Sequence, residues 1–267
     1  MSLSYQRCFQ RQEMDIFTFL EVCRNINLDA ASFHIRSLKE TIPDYLKKLR
    51  RKYFDLGLAV GAVGVTTDFG SSKEKLPEEL ETVREGIRVA MFLGAPTVRV
   101  FAGLVVDESR REEAFRRAVE GLRRVAEEGA KVGMPISLQN HNHRALARTG
   151  DDVLRFLREV NHSNLTVILD TGQFAGSKGA SEERPKEFQE ENLYESIQEV
   201  APVARYVRAK IYELDSEGRE RWIDYDRVFS ILRSVHYHGL VDIVYEGKGD
   251  ERIDVARAAE FLRPFLG

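Results

Sequence analysis

Two short stretches carry residues able to do chemistry. "ISLQNHNH" (Ile136–His143) ends an apolar run in two amides and two imidazoles, and "VILDTGQF" (Val167–Phe174) sets a carboxylate behind a run of aliphatic residues. An ionised carboxylate at the end of a buried run needs a positive partner or a metal. Imidazole, amide oxygen and carboxylate are also the groups that ligate divalent cations and carry protons. Further along, "RAKIYEL" offers Arg208, Lys210 and Tyr212 at alternate positions, and "VYEG" offers Glu246. Alternate residues of a strand share a face. Gln139, His141 and His143 are of one parity, and so are Arg208, Lys210 and Tyr212. Arg99, Arg208 and His34 also have a plainer reading, as outer-face bridges to helices for the arginines and a satisfied core histidine for His34.

These residues need strands to hold them. The chain reads as a strand-then-helix rhythm of eight units. The strands are expected at "LSYQRCF", "AASFHIRS", "AVGAVGVTTDF", "TVRVFAG", "PISLQNHN", "LTVILDTGQF", "ARYVRAKIYEL" and "LVDIVYEG". Pro77 suits a first helical turn, Thr149 or Asp151 can cap a helix, and Gly57, Gly94, Gly133 and Gly239 stand where helices end. Alternating strands and helices imply a parallel sheet with right-handed crossovers. Eight units in 267 residues predict an α/β protein, a single (β/α)8 TIM barrel covering 1–267, closed by the strand Val241–Glu246. An open doubly wound sheet is the weaker alternative, because no glycine-rich phosphate fingerprint follows the first strand. The active site is then expected at the C-terminal ends of the strands, and the polar insertion 175–188 as a lid over them.

Composition narrows the partners. Formal net charge is −3, with no basic excess to grip a phosphate backbone, so nucleic acid is not expected. Arginine-rich runs are interleaved with Glu or apolar residues at helical spacing and read as solvated helix faces. Cys8 and Cys23 show neither metal spacing nor a disulfide framework. No stretch approaches the length of a membrane span, and the first residues lack a long apolar segment. The expectation is a cytoplasmic protein with a small polyhydroxylated substrate and no membrane partner. Homo-oligomerisation is left open.

The order and spacing of "VRVFAG", "LQNHNH", "ILDTGQF", "RAKIYEL", "ERWIDYDRVFSIL" and "HGLVDIVYEG" resemble the xylose isomerase-like barrel superfamily, the sugar phosphate isomerase/epimerase group. The resemblance implies a Mn²⁺ or Mg²⁺ ion held by Glu, Asp, His and Glu on the fifth to eighth strands, the glutamates doubling as acid and base. Carried onto this chain, those positions fall on Gln139, Asp170, Arg208 and Val244, and an accessory His falls on Gln173. Gln cannot act as a general base near neutral pH, Arg repels a cation, and Val offers nothing. The resemblance therefore implies a degenerate metal site. Two alternatives follow. A displaced centre would place Mn²⁺, Zn²⁺ or Mg²⁺ on His141, Asp170 and Glu246, the last lying about 6–7 Å beyond Val244. A metal-free site would use His141, Glu246 and Lys210 as catalytic groups, with Gln139, His34, Arg208, Gln173 and His143 binding substrate.

The leading expectation is a sugar or polyol isomerase/epimerase-like enzyme moving a proton next to a carbonyl. The competitors are a non-catalytic barrel binding a sugar-like ligand and a Schiff-base lyase using Lys210. Repair of abasic DNA is disfavoured by the acidic balance.

Overall fold

The computed structural model describes residues 1–105, 107–178 and 190–266. Seven strands form one all-parallel sheet in chain order: β1 (Ala30–His34), β2 (Ala59–Gly64), β3 (Val98–Val100), β4 (Ile136–Gln139), β5 (Leu165–Asp170), β6 (Ala204–Ile211) and β7 (Val241–Tyr245). Helices connect them on the outside: α1 (Gln6–Gln10), α2 (Ile16–Asn25), α3 (Pro43–Leu56), α4 (Leu76–Leu93), α5 (Arg111–Lys131), α6 (Gly150–Val160), α7 (Glu190–Val200), α8 (Tyr225–Ser234) and α9 (Glu251–Leu262). This is the α/β TIM barrel, nearly closed. No described helix is long and apolar enough to cross a membrane.

Local sequence explains the helix ends. Pro43 and Pro77 sit in first turns, where a missing N–H costs nothing. Thr149 and Asp152 form a reciprocal capping box on α6. Gly57, Gly94 and Gly133 take left-handed conformations after α3, α4 and α5, as expected. Gly239 does not; the left-handed residue after α8 is His236, at φ 54°. The outer core lies between strands and helices, with Phe115 and Phe156 stacked at 4.2 Å and both buried.

The expected first strand is absent. "LSYQRCF" folds instead as a 3-10 turn, Ser2–Tyr5, running into α1. Its apolar residues explain this. Tyr5 and Cys8 are buried and Phe9 packs beside Phe19, which is i, i+3, i+4 spacing, the period of a helix rather than a strand. The turn stands in the gap between β7 and β1 and seals it with side chains. Ser4 Oγ donates to Ile243 O at 2.9 Å and accepts from Tyr245 N at 3.0 Å, while Ser2 Oγ accepts from His34 N at 3.1 Å. Hydroxyls thus take over pairing that a strand backbone would supply. The Glu251 carboxylate on α9 then accepts from Arg7 N and Cys8 N at the start of α1, at 2.9 and 3.1 Å, anchoring the segment.

Ser4→Ala should leave the buried Tyr245 N unpaired and Ile243 O with only the N-terminal ammonium at 3.3 Å, and lower unfolding free energy by about 1–2 kcal/mol. Ser234→Ala, at an exposed hydroxyl, should change it by under about 0.5 kcal/mol. Urea titration checks this; equal midpoints for both variants would show that Ser4 does not seal the barrel.

Candidate active site

Barrel interiors are usually filled by branched aliphatic residues. This one is largely polar. At the N-terminal end, Tyr206 Oη and Ser32 Oγ meet Asp242 Oδ1 at 3.2 and 2.8 Å. Thr97, Ser137 and Thr166 form a hydroxyl chain across β3, β4 and β5, at 2.6 and 2.7 Å. Above it lie His34, Arg99, Gln139 and Arg208, all buried. Arg99 and Arg208 point inward, not to helices as their plainer reading supposed. Arg99 donates to Val65 O at 2.8 Å and lies 4.2 Å over the Phe101 ring. Gly64 makes this possible, since a Cβ there would stand 2.9 Å from Arg99 Nη2.

The mouth is organised around Asp170, which is fully buried. Its backbone is locked by Asn140, which donates to Asp170 O at 2.9 Å and accepts from Asp170 N at 2.8 Å. Its Oδ2 accepts from Gln139 Nε2 at 3.0 Å and faces Lys210 Nζ at 3.4 Å; Oδ1 accepts from Gly172 N at 3.2 Å. Arg208 Nη1 donates to Gln139 Oε1 at 2.7 Å, and Arg208 Nε faces Asp242 Oδ2 at 3.6 Å. Lys210 Nζ donates to Glu246 Oε1 at 2.6 Å. A continuous string of polar contacts therefore runs from Asp242 through Arg208, Gln139, Asp170 and Lys210 to Glu246.

The electrostatics follow from burial. Desolvation raises the Asp170 carboxyl, although Lys210 and Arg208 pull it back. Burial pushes Glu246 up as well, but the Lys210 ammonium and its hydrogen bond outweigh this and hold Glu246 below the usual range. His141 is lowered to about 3 by burial, helped by His143 and Lys210. Its Nδ1 accepts from His143 N at 3.3 Å, which leaves the proton of the neutral ring on Nε2. His143 is lowered too, by burial first. His34 is lowered to about 2 by burial and by Arg99 and Arg36; its Nδ1 accepts from Arg36 N and its Nε2 meets Thr66 Oγ1 at 3.0 Å.

The residues singled out in the sequence thus take distinct places. Gln139, Asp170, Lys210, Glu246 and His141 surround the mouth. His34 and Arg208 lie beneath it. Gln173 is buried behind it, with Oε1 3.4 Å from Asn142 N. Of the expected lid, 179–188 lies outside the described residues; the described Ala175–Lys178 runs past the mouth, with Ser177 Oγ accepting from Asn142 at 2.7 Å and Lys178 Nζ 3.0 Å over the Trp222 ring. Several positioning residues were not foreseen. Thr171 Oγ1 accepts from Lys210 N at 3.0 Å and Tyr225 Oη donates to Lys210 O at 2.7 Å, bracketing the lysine backbone. Gly172 leaves room for its stem, because a Cβ would stand 2.4 Å from Lys210 Cγ. Tyr225 reads in sequence only as the start of a helix, but Gly172, two residues after Asp170, was a visible signal.

A divalent metal at the family's position does not fit this arrangement. The oxygen of Gln139 is taken by a guanidinium, its NH2 faces Asp170, and both Asp170 oxygens have donors. For the displaced set His141, Asp170 and Glu246, the Lys210 ammonium already bridges the two carboxylates. Among the described residues no group of three or more His, Cys, Asp or Glu is placed to hold a metal.

A family model described as a xylose isomerase-like TIM barrel matches residues 20–265. The chain belongs to that family. Solved structures with this fold include a D-tagatose 3-epimerase-like protein, at TM-score 0.76 and 19% identity over 94% of this chain and 93% of that one. D-psicose 3-epimerase, solved in the presence of D-fructose, gives 0.74 and 16% over 95% and 94%. The 3-keto-D-glucoside 4-epimerase of E. coli gives 0.73 and 14% over 94% of each chain. No curated protein sequence matches. Identities this low establish the xylose isomerase-like fold and leave the chemistry to the residues.

The loop after β6 borders the mouth and carries a titrating group. Glu220 is buried and accepts from Tyr212 N, Glu213 N and Trp222 N at 2.8, 3.1 and 2.9 Å. Burial nevertheless pushes its carboxyl from 4.5 up to about 7. Between those values the folded protein keeps a proton that the unfolded chain has lost. This group's contribution to stability is complete below pH 4.5 and is lost as pH rises through about 7. Trp222, the single tryptophan, reports on it. Its emission should titrate near pH 7, and Glu220→Gln should abolish that step and gain stability relative to wild type as pH rises from 4.5 to above 7. A pH-independent difference between the two melting curves would exclude a raised Glu220.

Proposed function

We propose that this barrel, acting as one domain over residues 1–267, is a cytoplasmic isomerase/epimerase-like enzyme. It acts on a small polar carbonyl compound of the sugar, polyol or sugar-acid kind. The observation that carries the reading is Lys210 Nζ held 2.6 Å from Glu246 and 3.4 Å from Asp170 at the mouth of the barrel. It places a fixed cation beside an ionised base, the pair needed to take a proton from a carbon next to a carbonyl. The epimerase names of similar structures support the same reaction class.

In the proposed step the substrate carbonyl oxygen accepts a hydrogen bond from Lys210 Nζ. Glu246 takes the proton from the adjacent carbon, and the electron pair moves into an enediol whose negative oxygen stays against the ammonium. Glu246 returns the proton to the former carbonyl carbon while the enediol's hydroxyl proton passes to the oxygen held by Lys210, which turns the hydroxyl carbon into the new carbonyl and completes an isomerisation. His141, neutral at pH 7, donates its Nε2–H to a substrate oxygen. Gln139 and His143 border the bound molecule, Gln173 backs the mouth through Asn142, and His34 and Arg208 support it from below. No metal takes part in this step.

A binding barrel without turnover is the second reading. It is favoured by the completeness of the Arg208–Gln139–Asp170 contacts, which fill the family's metal position with protein groups. The Schiff-base reading of Lys210 is separated by borohydride trapping with a keto compound.

Solvent deuterium exchange next to the carbonyl, followed by NMR over a panel of ketoses and keto acids, tests the proposal. Protein dialysed against EDTA should keep its full rate, and Lys210→Met and Glu246→Gln should each lose about 10²-fold or more. Loss of exchange in EDTA with recovery on adding Mn²⁺ would sink the metal-free mechanism. Binding without exchange would favour the second reading.

A further inference from the structure

The mouth has two unlike walls. Lys210, Asp170 and Glu246 make one. The other is a recess of about 240 Å³ over β2, β3 and β4, walled by Phe101, Ala102, Leu104, Ala145 and Ala147. Gln139 and His141 line its inner side. Most of its polar side chains are already spent within the protein. Thr66 Oγ1 meets His34 at 3.0 Å; Thr67 Oγ1 donates to Phe101 O at 2.7 Å and accepts from Phe101 N at 2.9 Å. Gln139 gives its oxygen to Arg208 and its NH2 to Asp170. Asp68 Oδ1 accepts from Leu104 N at 3.1 Å. A chain of hydroxyls entering here would lose water and find few partners to replace it.

The recess does suit a ring. An apolar cavity of about 150 Å³ holds benzene, and 240 Å³ holds one six-membered ring with a short substituent. Phe101 supplies a fixed aromatic wall, set by Arg99 at 4.2 Å and by the edge-on His141 ring at 5.2 Å and 84°. His141 links the two walls: it lines the recess and lies within the field of Lys210 and Glu246.

We infer that the substrate is a keto compound carrying a six-membered apolar ring, aryl or cycloalkyl, with the ring in the Phe101–Ala147 recess and the carbonyl end at Lys210. The inference rests on the proposed role of Lys210, keeps the carbonyl chemistry of that reading, and replaces its sugar-like substrate with a ring-bearing keto compound.

Calorimetric titration with phenylpyruvate, pyruvate and D-fructose tests it. Phenylpyruvate should bind about tenfold tighter than pyruvate or better, and tighter than D-fructose. Ala147→Phe fills the recess and should erase the difference between the keto acids. Because Ala147 is buried, Leu104→Asp is the second variant; Leu104 is half exposed, and the carboxylate at the rim should reduce phenylpyruvate binding at least about fivefold and leave pyruvate unchanged. The inference is overturned if phenylpyruvate fails to bind at about 10 mM, binds no tighter than pyruvate or D-fructose, or is indifferent to both variants. Lys210→Met keeps the two claims apart. It should weaken both keto acids by a common factor and preserve their ratio. A ratio of ten that survives a Lys210→Met variant with unchanged affinities would uphold the recess and reject the lysine's role. A ratio of one rejects the recess whatever Lys210→Met does.

Discussion

Lys210 Nζ lies 2.6 Å from Glu246 and 3.4 Å from Asp170, and the buried polar string of the barrel depends on that contact. Placing ionised groups in a protein interior costs several kcal/mol each unless they are paired. The barrel interior holds three cations and three carboxylates: Arg208 and Lys210 lie against Asp242, Asp170 and Glu246, while Arg99 rests on Val65 O and the Phe101 ring. Each of these except Glu246 is more than nine-tenths buried. Removing Lys210 would leave Asp170 with an amide and a backbone N–H for company. Removing Arg208 would strip Gln139 of the donor that sets its orientation. Such a network is coupled, and single substitutions in it should not add.

The same balance accounts for the poor fit of a metal ion at the positions that the family resemblance implied. A divalent cation on four ligands is a compact positive charge at the ends of the last strands. In this chain Arg208 and Lys210, two positions apart on β6, bring positive charge to that region from within the fold. Gln139 fits the new pattern better than a glutamate would. Its oxygen accepts from Arg208 at 2.7 Å and its nitrogen donates to Asp170 at 3.0 Å, a bridge that an acceptor-only carboxylate cannot make. Val244 follows the same logic, since the acidic groups stand at Asp242 on β7 and at Glu246 just beyond its end, one below and one above it.

Much of this was legible in the chain. Parity alone put Gln139 and His141 on one face and Arg208 with Lys210 on another, and strand–helix alternation gave the barrel and its last strand from Val241. What failed did so for physical reasons. Tyr5, Cys8 and Phe9 carry a helical period over a run too short to separate from a strand. Arg99 follows apolar neighbours, and a charged residue in such a run is as well suited to an outer face as to the interior. Gly64, its partner across the sheet, adds to the room for it inside. Thr171 and Tyr225 hold Lys210 from 39 and 15 residues away, through contacts with its backbone that no local pattern records.

In the proposed mechanism Lys210 can take the place of a metal ion only if its position is fixed as firmly. The metal would be held by bonds to several side chains, whereas an ammonium ends a flexible four-carbon stem. The structure supplies the missing rigidity along the whole side chain. Thr171 and Tyr225 fix the backbone at both its N–H and its carbonyl. The Gly172 backbone lies close along the stem, and the two carboxylates fix the tip. The entropy of ordering the side chain is thus met on folding rather than on substrate binding, which is the condition for a preorganised electrophile. Placing it between a buried carboxylate and a partly exposed one also gives it a direction. Glu246 faces the solvent side, so a substrate oxygen arriving from the mouth approaches the ammonium beside the carboxylate proposed as its base.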